Sequence, residues 1–191
     1  TAPSSMPLFQ PLPWRHHARF TNASQNGRAL KVDFKLVLGK LICAFDQDGM
    51  DYALIGGLAL GLLGVPRATA DIDILVRKQD IEKIDKAMQA LGYKKQFSSE
   101  NVSQYTSATK LMGAVDFLHA FREASIKMLE RAQQQAIFEN ALQVKHVRAE
   151  DLIGLKVQAI KNNPARTHQD LADIEALIAR QDQPLDWQEL Q

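Results

Sequence analysis

The sequence contains little of the chemistry that marks secreted, membrane-spanning or zinc-binding proteins. Its 191 residues include one cysteine, Cys43, so an intramolecular disulfide and a cysteine–histidine metal site are both excluded. Cys43 lies in an apolar stretch, where we expect a small buried side chain. No apolar run is long enough to span a bilayer, and no signal peptide is visible at the start, so we expect a cytoplasmic protein.

An excess of charge of one sign is also missing. The 23 basic and 22 acidic residues leave a formal net charge of +1, which supplies no long-range field toward nucleic acid or a membrane. The chain has no internal repeat and no low-complexity tract. Its length and its 46% hydrophobic content predict one globular domain with, at most, a small appendage.

Residues 1–30 show no sustained helical or strand period and contain four of the seven prolines. We interpret this segment as an N-terminal arm that packs on the body or reaches a partner subunit, which would make a homo-oligomer. A disordered tail is the alternative. Aromatic residues such as Trp14 and Phe20 argue against that alternative because disordered segments contain few of them.

From residue 32 onward, the spacing of apolar residues alternates between the helical and the strand period. Helices are predicted at 32–47, 58–63, 80–91, 124–136, 150–161 and 167–178. Strands are predicted at 52–55, 71–76, 102–106, 114–118 and 142–147, with a possible partner strand for 102–106 within 93–110. This order predicts an α/β (α+β) fold with a mixed sheet. We divide it into a core at 31–148, a helical hairpin at 149–181 that closes a cleft, and a tail at 182–191.

Two aspartates one residue apart are the most informative local feature. Asp71 and Asp73 alternate with Ile72 and Ile74, so both carboxylates project from the same face of the predicted strand. Like charges this close raise each other's pKa and cost free energy unless a cation lies between them. The pair therefore predicts a divalent metal site.

A third carboxylate, Asp116, interrupts the apolar strand predicted at 114–118. Three carboxylates from neighbouring strands would hold one or two Mg²⁺ ions, and Asp116 could also accept a proton from an attacking hydroxyl. The alternative is an exposed strand whose polar residues face water. His119, three residues later, is a minor candidate for the same site, although a structural role is the more ordinary one for such a histidine.

Gly56 and Gly57 follow the first predicted strand and precede a short helix. Glycines there let the backbone approach a phosphate, and the start of a helix attracts anions; the alternative is an ordinary tight turn. Between this turn and the aspartate pair lie Arg67 and Thr69. Arg67 offers a forked donor for phosphate, or it pairs structurally with Asp71 or Asp73.

Together these motifs resemble the nucleotidyltransferase superfamily related to DNA polymerase beta. The matching strings are Ile55-Gly56-Gly57, Asp71-Ile72-Asp73-Ile74 and Val115-Asp116-Phe117-Leu118. The resemblance implies a Mg²⁺-dependent enzyme that moves a nucleoside monophosphate from a nucleoside triphosphate to a hydroxyl of RNA, a protein or a small molecule such as an aminoglycoside. It implies metal ligands Asp71, Asp73 and Asp116.

The C-terminal part is similar to the AbiEii-like branch, which includes toxins of type IV toxin–antitoxin systems. That similarity implies an antitoxin partner, a phosphate contact for Lys156, and positions on the far wall of the cleft for Asp170 and Asp173. The alternative is a solvated lysine and surface aspartates paired with Arg166 or Lys161.

The resemblance covers residues 32–178, so the N-terminal arm lies outside it. One departure is Gly57, where many active members have serine. A second hypothesis is a non-catalytic nucleotide-binding or protein-interaction module on the same fold. A nucleic-acid scaffold has no basic or aromatic platform in the sequence to recommend it.

Overall fold

The computed structural model describes residues 32–180 together with Leu185 and Asp186. The predicted N-terminal arm lies outside the described residues, and so does the predicted tail apart from these two positions. None of the described helices is both long and apolar enough to cross a membrane.

The described chain forms six helices, seven strands and two short 3₁₀ turns. The helices are α1 (Phe34–Gln47), α2 (Gly56–Leu62), α3 (Ile81–Ala90), α4 (Glu123–Glu130), α5 (Ala149–Asn162) and α6 (Thr167–Arg180). The strands are β1 (Tyr52–Leu54), β2 (Asp71–Arg77), β3 (Tyr93–Ser98), β4 (Val102–Ser107), β5 (Ala114–Ala120), β6 (Gln133–Ile137) and β7 (Leu142–His146). The 3₁₀ turns are Lys78–Asp80 and Pro164–Arg166.

All seven strands join one mixed sheet in the order β3-β4-β5-β2-β1-β7-β6. The β2–β5 and β1–β7 pairs are parallel, and the other neighbours are antiparallel. Helices α5 and α6 form the C-terminal helical pair. The predicted fold class, a mixed sheet with packed helices and a C-terminal helical pair, is therefore confirmed.

The sheet separates two apolar cores, and β2 shows how the sequence assigns its faces. Ile72, Ile74 and Val76 belong to the core that α1 and α3 cover. Asp71 and Asp73 face the opposite side, as the period-2 alternation requires. On that opposite side a second core packs α2, α4, α5 and α6 against the sheet. The candidate site lies where this second core ends.

The predicted helix at 124–136 is wrong in its second half. Helix α4 ends at Glu130, and β6 then pairs antiparallel with β7 through a turn in which three residues have positive φ angles: Phe138, Glu139 and Asn140. Glutamine and alanine favour helices locally, but pairing with β7 adds β6 to the sheet edge, and tertiary context overrides weak propensity.

The prediction that Cys43 is buried is also wrong, because Cys43 is exposed. The buried stripe of α1 consists of Val37, Leu38, Leu41, Ile42 and Phe45. Position 43 falls outside this stripe at 3.6 residues per turn, so the helix turns Cys43 to solvent.

Candidate active site

The three predicted carboxylates meet on one face of the sheet. In the parallel pair β2–β5, Asp73 is the direct register partner of Asp116. Neighbouring strands lie about 4.8 Å apart, so the two residues stand side by side. Asp71 is two residues before Asp73 and projects from the same face. The adjacency of Asp116, which sequence reasoning only assumed, is thus a property of strand order and register.

A cleft of about 390 Å³ opens over these carboxylates. Its walls are the sheet, the segment before β2, and α5 with the first turn of α6. All eight predicted site residues line it: Gly56, Gly57, Arg67, Thr69, Asp71, Asp73, Asp116 and Lys156. The structure therefore brings the whole predicted set into one cavity.

Asp73 carries the electrostatic cost of this arrangement. It lies at the floor of the cleft, surrounded by protein although part of its side chain remains accessible. Burial and then the charges of Asp116 and Asp71 raise the pKa of Asp73 to about 7, against the opposing effect of Arg166 and Lys156. A positive charge bound at the three carboxylates would reverse this shift.

Gly56 is required by both its backbone and its surroundings. It is the first residue of α2 and has φ +62°, a conformation that residues with a side chain rarely adopt. A Cβ atom at this position would lie 2.0 Å from Asp73 Oδ2. The backbone therefore packs directly on the Asp73 carboxylate, and the helix begins two residues earlier than predicted.

Gly57 and Thr69 occupy complementary positions. A Cβ atom on Gly57 would lie 2.7 Å from Thr69 Cβ and 2.9 Å from Thr69 Oγ1. The Thr69 hydroxyl in turn donates a hydrogen bond to the Asp71 carbonyl oxygen at 3.0 Å. The side chain of Thr69 thus fills the space that a serine at position 57 would need, which accounts for the departure noted in the sequence.

The opposite wall carries a row of alternating charges, which we call the helical charge row: Arg67, Asp173, Lys156, Asp170 and Arg166. Lys156 Nζ donates to Asp170 Oδ1 at 3.0 Å and to Asp173 Oδ2 at 2.6 Å. Arg67 bonds Asp173 at 2.7 Å, and Arg166 bonds Asp170 at 2.8 Å. Each carboxylate of the row lies between two cations.

The helical charge row rules out a solvated Lys156 and surface positions for Asp170 and Asp173, and the phosphate contact of Lys156 stays a prediction. Lys156 is only 6% exposed, so the prediction of a solvated lysine is wrong. The predicted pairing of Asp170 with Arg166 is present, and Arg67 is bound to Asp173 on α6. Burial raises the pKa of Asp170, but hydrogen bonds and charges from Arg166 and Lys156 outweigh it and hold that pKa below its usual range.

Sequence reasoning missed Gln104 on β4. Its Nε2 donates to Asp116 Oδ2 at 2.9 Å, and it is the register partner of Asp116. Strand alternation could have placed Gln104 on a face, but nothing local specifies which strand lies beside it. His119 projects from the other face of β5, where its ring bonds the Glu100 carbonyl and the Ser103 hydroxyl at 3.0 and 3.1 Å.

The donor set suits a hard divalent cation, because carboxylate oxygens are the ligands that Mg²⁺ prefers. Burial, and then the charges of Asp116 and Asp71, raise the pKa of Asp73, and a bound cation would offset the repulsion among the three carboxylates. As the side chains stand, no group of three or more histidine, cysteine, aspartate or glutamate residues within 32–180 and 185–186 is arranged to hold a metal ion. Binding would therefore require the carboxylates to turn toward a common point.

A family model described as an uncharacterised nucleotidyltransferase matches residues 2–191. The chain belongs to this nucleotidyltransferase family. The match includes the N-terminal segment that the sequence comparison with the wider superfamily left outside. No curated protein is significantly similar in sequence to this chain.

Solved structures share the fold at low sequence identity. One is ANT(2″)-Ia in complex with adenylyl-2″-tobramycin, at 14% identity over 75% of this chain and 87% of that chain, with a TM-score of 0.58. Another is the lincomycin-bound lincosamide antibiotic adenylyltransferase LnuA, at 16% identity over 79% and 99%, with a TM-score of 0.54. A third is a nucleotidyltransferase from Thermotoga maritima described as putative, at 13% identity over 78% and 99%, with a TM-score of 0.53.

Proposed function

We propose that this protein is a Mg²⁺-dependent nucleotidyltransferase that transfers a nucleoside monophosphate from a nucleoside triphosphate to a hydroxyl acceptor. The observation that carries the proposal is the direct register of Asp73 with Asp116, with Asp71 on the same face, at the floor of a cleft. Membership of a nucleotidyltransferase family supports the reaction class.

Asp71, Asp73 and Asp116 are the proposed metal ligands. When bound, Mg²⁺ would neutralise phosphate charge and favour ionisation of the attacking hydroxyl. Asp116 would accept the hydroxyl proton as the acceptor oxygen bonds to the α-phosphorus. The bond from the α-phosphorus to the bridging oxygen breaks, and pyrophosphate leaves. Positioning and charge compensation by the protein would supply most of the rate enhancement.

The triphosphate would lie against the Gly56–Gly57 turn and the Thr69 hydroxyl. Arg67 is the more accessible cation of this side, because its side chain is 33% exposed and reaches the cleft from the segment before β2. Lys156 is buried between two carboxylates, so it contributes positive potential toward the phosphates from a fixed position. Direct contact with Lys156 would require the phosphate to compete with Asp170 and Asp173.

Two of the solved structures that share the fold suggest a class of acceptor. One is in complex with adenylyl-2″-tobramycin, and the other is a lincosamide antibiotic adenylyltransferase with lincomycin bound. A small hydroxyl compound is therefore our first choice, ahead of RNA or a protein hydroxyl. The non-catalytic module is the alternative. We disfavour it because a retired site has no physical reason to retain three mutually repelling carboxylates.

The toxin-like role, with an antitoxin partner, is a separate prediction. It rests on the string from Arg166 to Asp173 and on Lys156, and homo-oligomerisation through the N-terminal segment likewise stays a prediction. Induced expression of the intact protein in a bacterial host tests the toxin role. Growth arrest that Asp71→Asn relieves would support it, and unchanged growth at verified expression would contradict it.

The proposal is tested by incubating the protein with an α-labelled triphosphate, Mg²⁺ and either total RNA or a cell extract. We expect an acceptor to become labelled, and we expect Mg²⁺ plus triphosphate to raise the melting temperature more than either alone. Asp46→Asn is the matched control, because Asp46 is exposed on α1, which packs on the sheet face opposite the cleft. Absence of both labelling and Mg²⁺-dependent stabilisation would refute the proposed nucleotidyltransferase activity.

A further inference from the structure

Four side chains form a single row across the sheet on the cleft side. Phe97 on β3 pairs with Gln104 on β4, Gln104 with Asp116 on β5, and Asp116 with Asp73 on β2. All four line the cleft. At about 4.8 Å per strand, Phe97 lies about 10 Å from Asp116 and about 14 Å from Asp73. The row therefore continues from the carboxylates on β2 and β5 across two further strands, β4 and β3.

An irregularity in β3 places the aromatic ring in this row. Lys95 pairs with Tyr105, but Phe97, two residues later, pairs with Gln104, so one extra residue is inserted. Lys95 lies over the Tyr105 ring on the sheet face away from the cleft. Regular pairing would turn Phe97 to that same face. The inserted residue brings it to the cleft instead, which is a recurrent use of β-bulges beside active sites.

The two ends of the row face different chemistry. At the Asp73 end, Gly56 packs on the carboxylate, and Thr69 and Arg67 stand close by, which is the side proposed above for the triphosphate. An attacking hydroxyl must approach the α-phosphorus opposite the departing pyrophosphate. An acceptor whose proton passes to Asp116 therefore lies over β5, β4 and β3, at the Phe97 end.

The lining side chains at the Phe97 end are uncharged. They are the ring of Phe97, the amide of Gln104, and the aliphatic Val102 and Leu118. An aromatic ring flanked by aliphatic groups binds the apolar face of another ring. An amide has two N–H donors and one acceptor, and the bond to Asp116 uses one donor, so Gln104 can also bind a ligand hydroxyl. A polyanionic acceptor that extended from this end to Asp116 would be repelled by the carboxylates of Asp116 and Asp73.

We infer that the acceptor is a small, uncharged or cationic hydroxyl compound that contains a ring. The inference rests on the proposed function and names its substrate class. The ring lies on Phe97, and the reacting hydroxyl lies over Asp116. Gln104 is a positioning residue that holds the Asp116 carboxylate and the acceptor in register. In the transfer, the acceptor O–H proton goes to Asp116, the new oxygen–phosphorus bond forms, and pyrophosphate departs.

The test uses the full chain, Mg²⁺ and α-labelled ATP with two kinds of probe. One is a panel of small ring alcohols consisting of methyl glycosides, amino-sugar glycosides, nucleosides and hydroxylated aromatic compounds. The other is a short RNA with a free 3′ hydroxyl. We expect label on a ring alcohol. Phe97→Leu should raise KM for that acceptor about tenfold, in line with the loss of one aromatic stack.

Three further variants separate acceptor binding from folding. Phe97→Trp should retain the low acceptor KM because it keeps a ring at the position. Gln104→Leu should lower kcat as well as raise acceptor KM, since it also removes the Gln104 hydrogen bond to the Asp116 carboxylate. Phe138→Leu, at an exposed phenylalanine in the β6–β7 turn, is the matched control and should change neither constant. The Kd of Mg²⁺–ATP should be the same in the two Phe97 variants and in Phe138→Leu.

The outcomes distinguish this inference from the proposed function. Labelling of the RNA alone, no labelled ring alcohol despite Mg²⁺–ATP binding, or an acceptor KM that Phe97→Leu leaves unchanged would each overturn the acceptor assignment and leave the nucleotidyltransferase intact. Failure of the unmodified protein to bind Mg²⁺ with any of the four nucleoside triphosphates would overturn the proposed function and this inference with it.

Discussion

The two walls of the cleft use charge in opposite ways. On the sheet wall, Asp71, Asp73 and Asp116 place three charges of one sign side by side. Burial, and then the charges of Asp116 and Asp71, raise the pKa of Asp73 to about 7. On the helical wall, the charge row from Arg67 to Arg166 alternates in sign, and each carboxylate lies between two cations.

The difference suggests that the sheet wall binds a cation and that the helical wall stabilises the fold. Alternating charges compensate one another within the protein, so the helical charge row ties α5, α6 and the segment before β2 together without a ligand. Like charges remain costly until an external cation arrives. Substitutions on the sheet wall should therefore mainly reduce activity, and substitutions on the helical wall should mainly reduce stability.

The largest effect is expected at the sheet wall. Asp71→Asn should lower kcat/KM for nucleotide transfer by about 10³-fold, because it removes a charge aimed at the reacting phosphate and its metal. The free energy of unfolding should stay within about 0.5 kcal/mol, since a repelling charge is lost rather than a supporting one. Transfer rates and urea denaturation measure the two quantities. Undiminished transfer, or an unfolded variant, would contradict the assigned role.

The reverse pattern is expected at the helical wall. Lys156→Met leaves Asp170 and Asp173 buried without their shared cation, and should reduce the free energy of unfolding by about 3 kcal/mol. Lys161→Met, at an exposed lysine on the same helix, should change it by less than about 0.5 kcal/mol. Urea denaturation of both variants tests this. Equal urea midpoints for the two variants would show that the helical charge row does not stabilise this wall of the cleft.

The glycine turn should be sensitive in a way that ordinary helical glycines are not. Gly56→Ala forces a side chain into a positive φ and against Asp73, so we expect a loss of about 1–3 kcal/mol and weaker triphosphate binding. Gly39→Ala in α1 meets nothing within 4 Å and should instead stabilise by about 0.5–1 kcal/mol. Thermal melts with and without Mg²⁺–ATP compare the pair. A Gly56→Ala variant as stable as Gly39→Ala would refute the close approach.

In the absence of metal, the stability of the protein should also depend on pH. The pKa of Asp73 is about 7 in the folded protein against 3.8 as its ordinary value, so the folded state retains a proton that the unfolded state has lost between these pH values. The Asp73 contribution to stability therefore falls as pH rises from about 4 to about 7. Relative to the unmodified protein, Asp73→Asn should flatten this decline, and Mg²⁺ should oppose it at neutral pH. If the free energies of unfolding of the unmodified protein and of Asp73→Asn change with pH in parallel, the raised pKa of Asp73 is contradicted.

Much of the fold followed from local pattern because alternation and helical period reflect burial directly. The faces of β2 and the position of Asp116 within a strand were predictable for this reason. The strand at β6 was not, because its glutamines carry no strand period and only pairing with β7 selects the extended form. Burial of Lys156 also depended on partners, Asp170 and Asp173, that come from another helix.

Local pattern alone indicated the candidate site residues and the face of each strand that they occupy, since side-chain alternation is a property of the backbone. Local pattern left open that Asp116 stands beside Asp73, that Thr69 fills the space above Gly57, and that Phe97 turns into the cleft. These are matters of strand order, register and insertion, and they depend on contacts between segments that lie far apart along the chain.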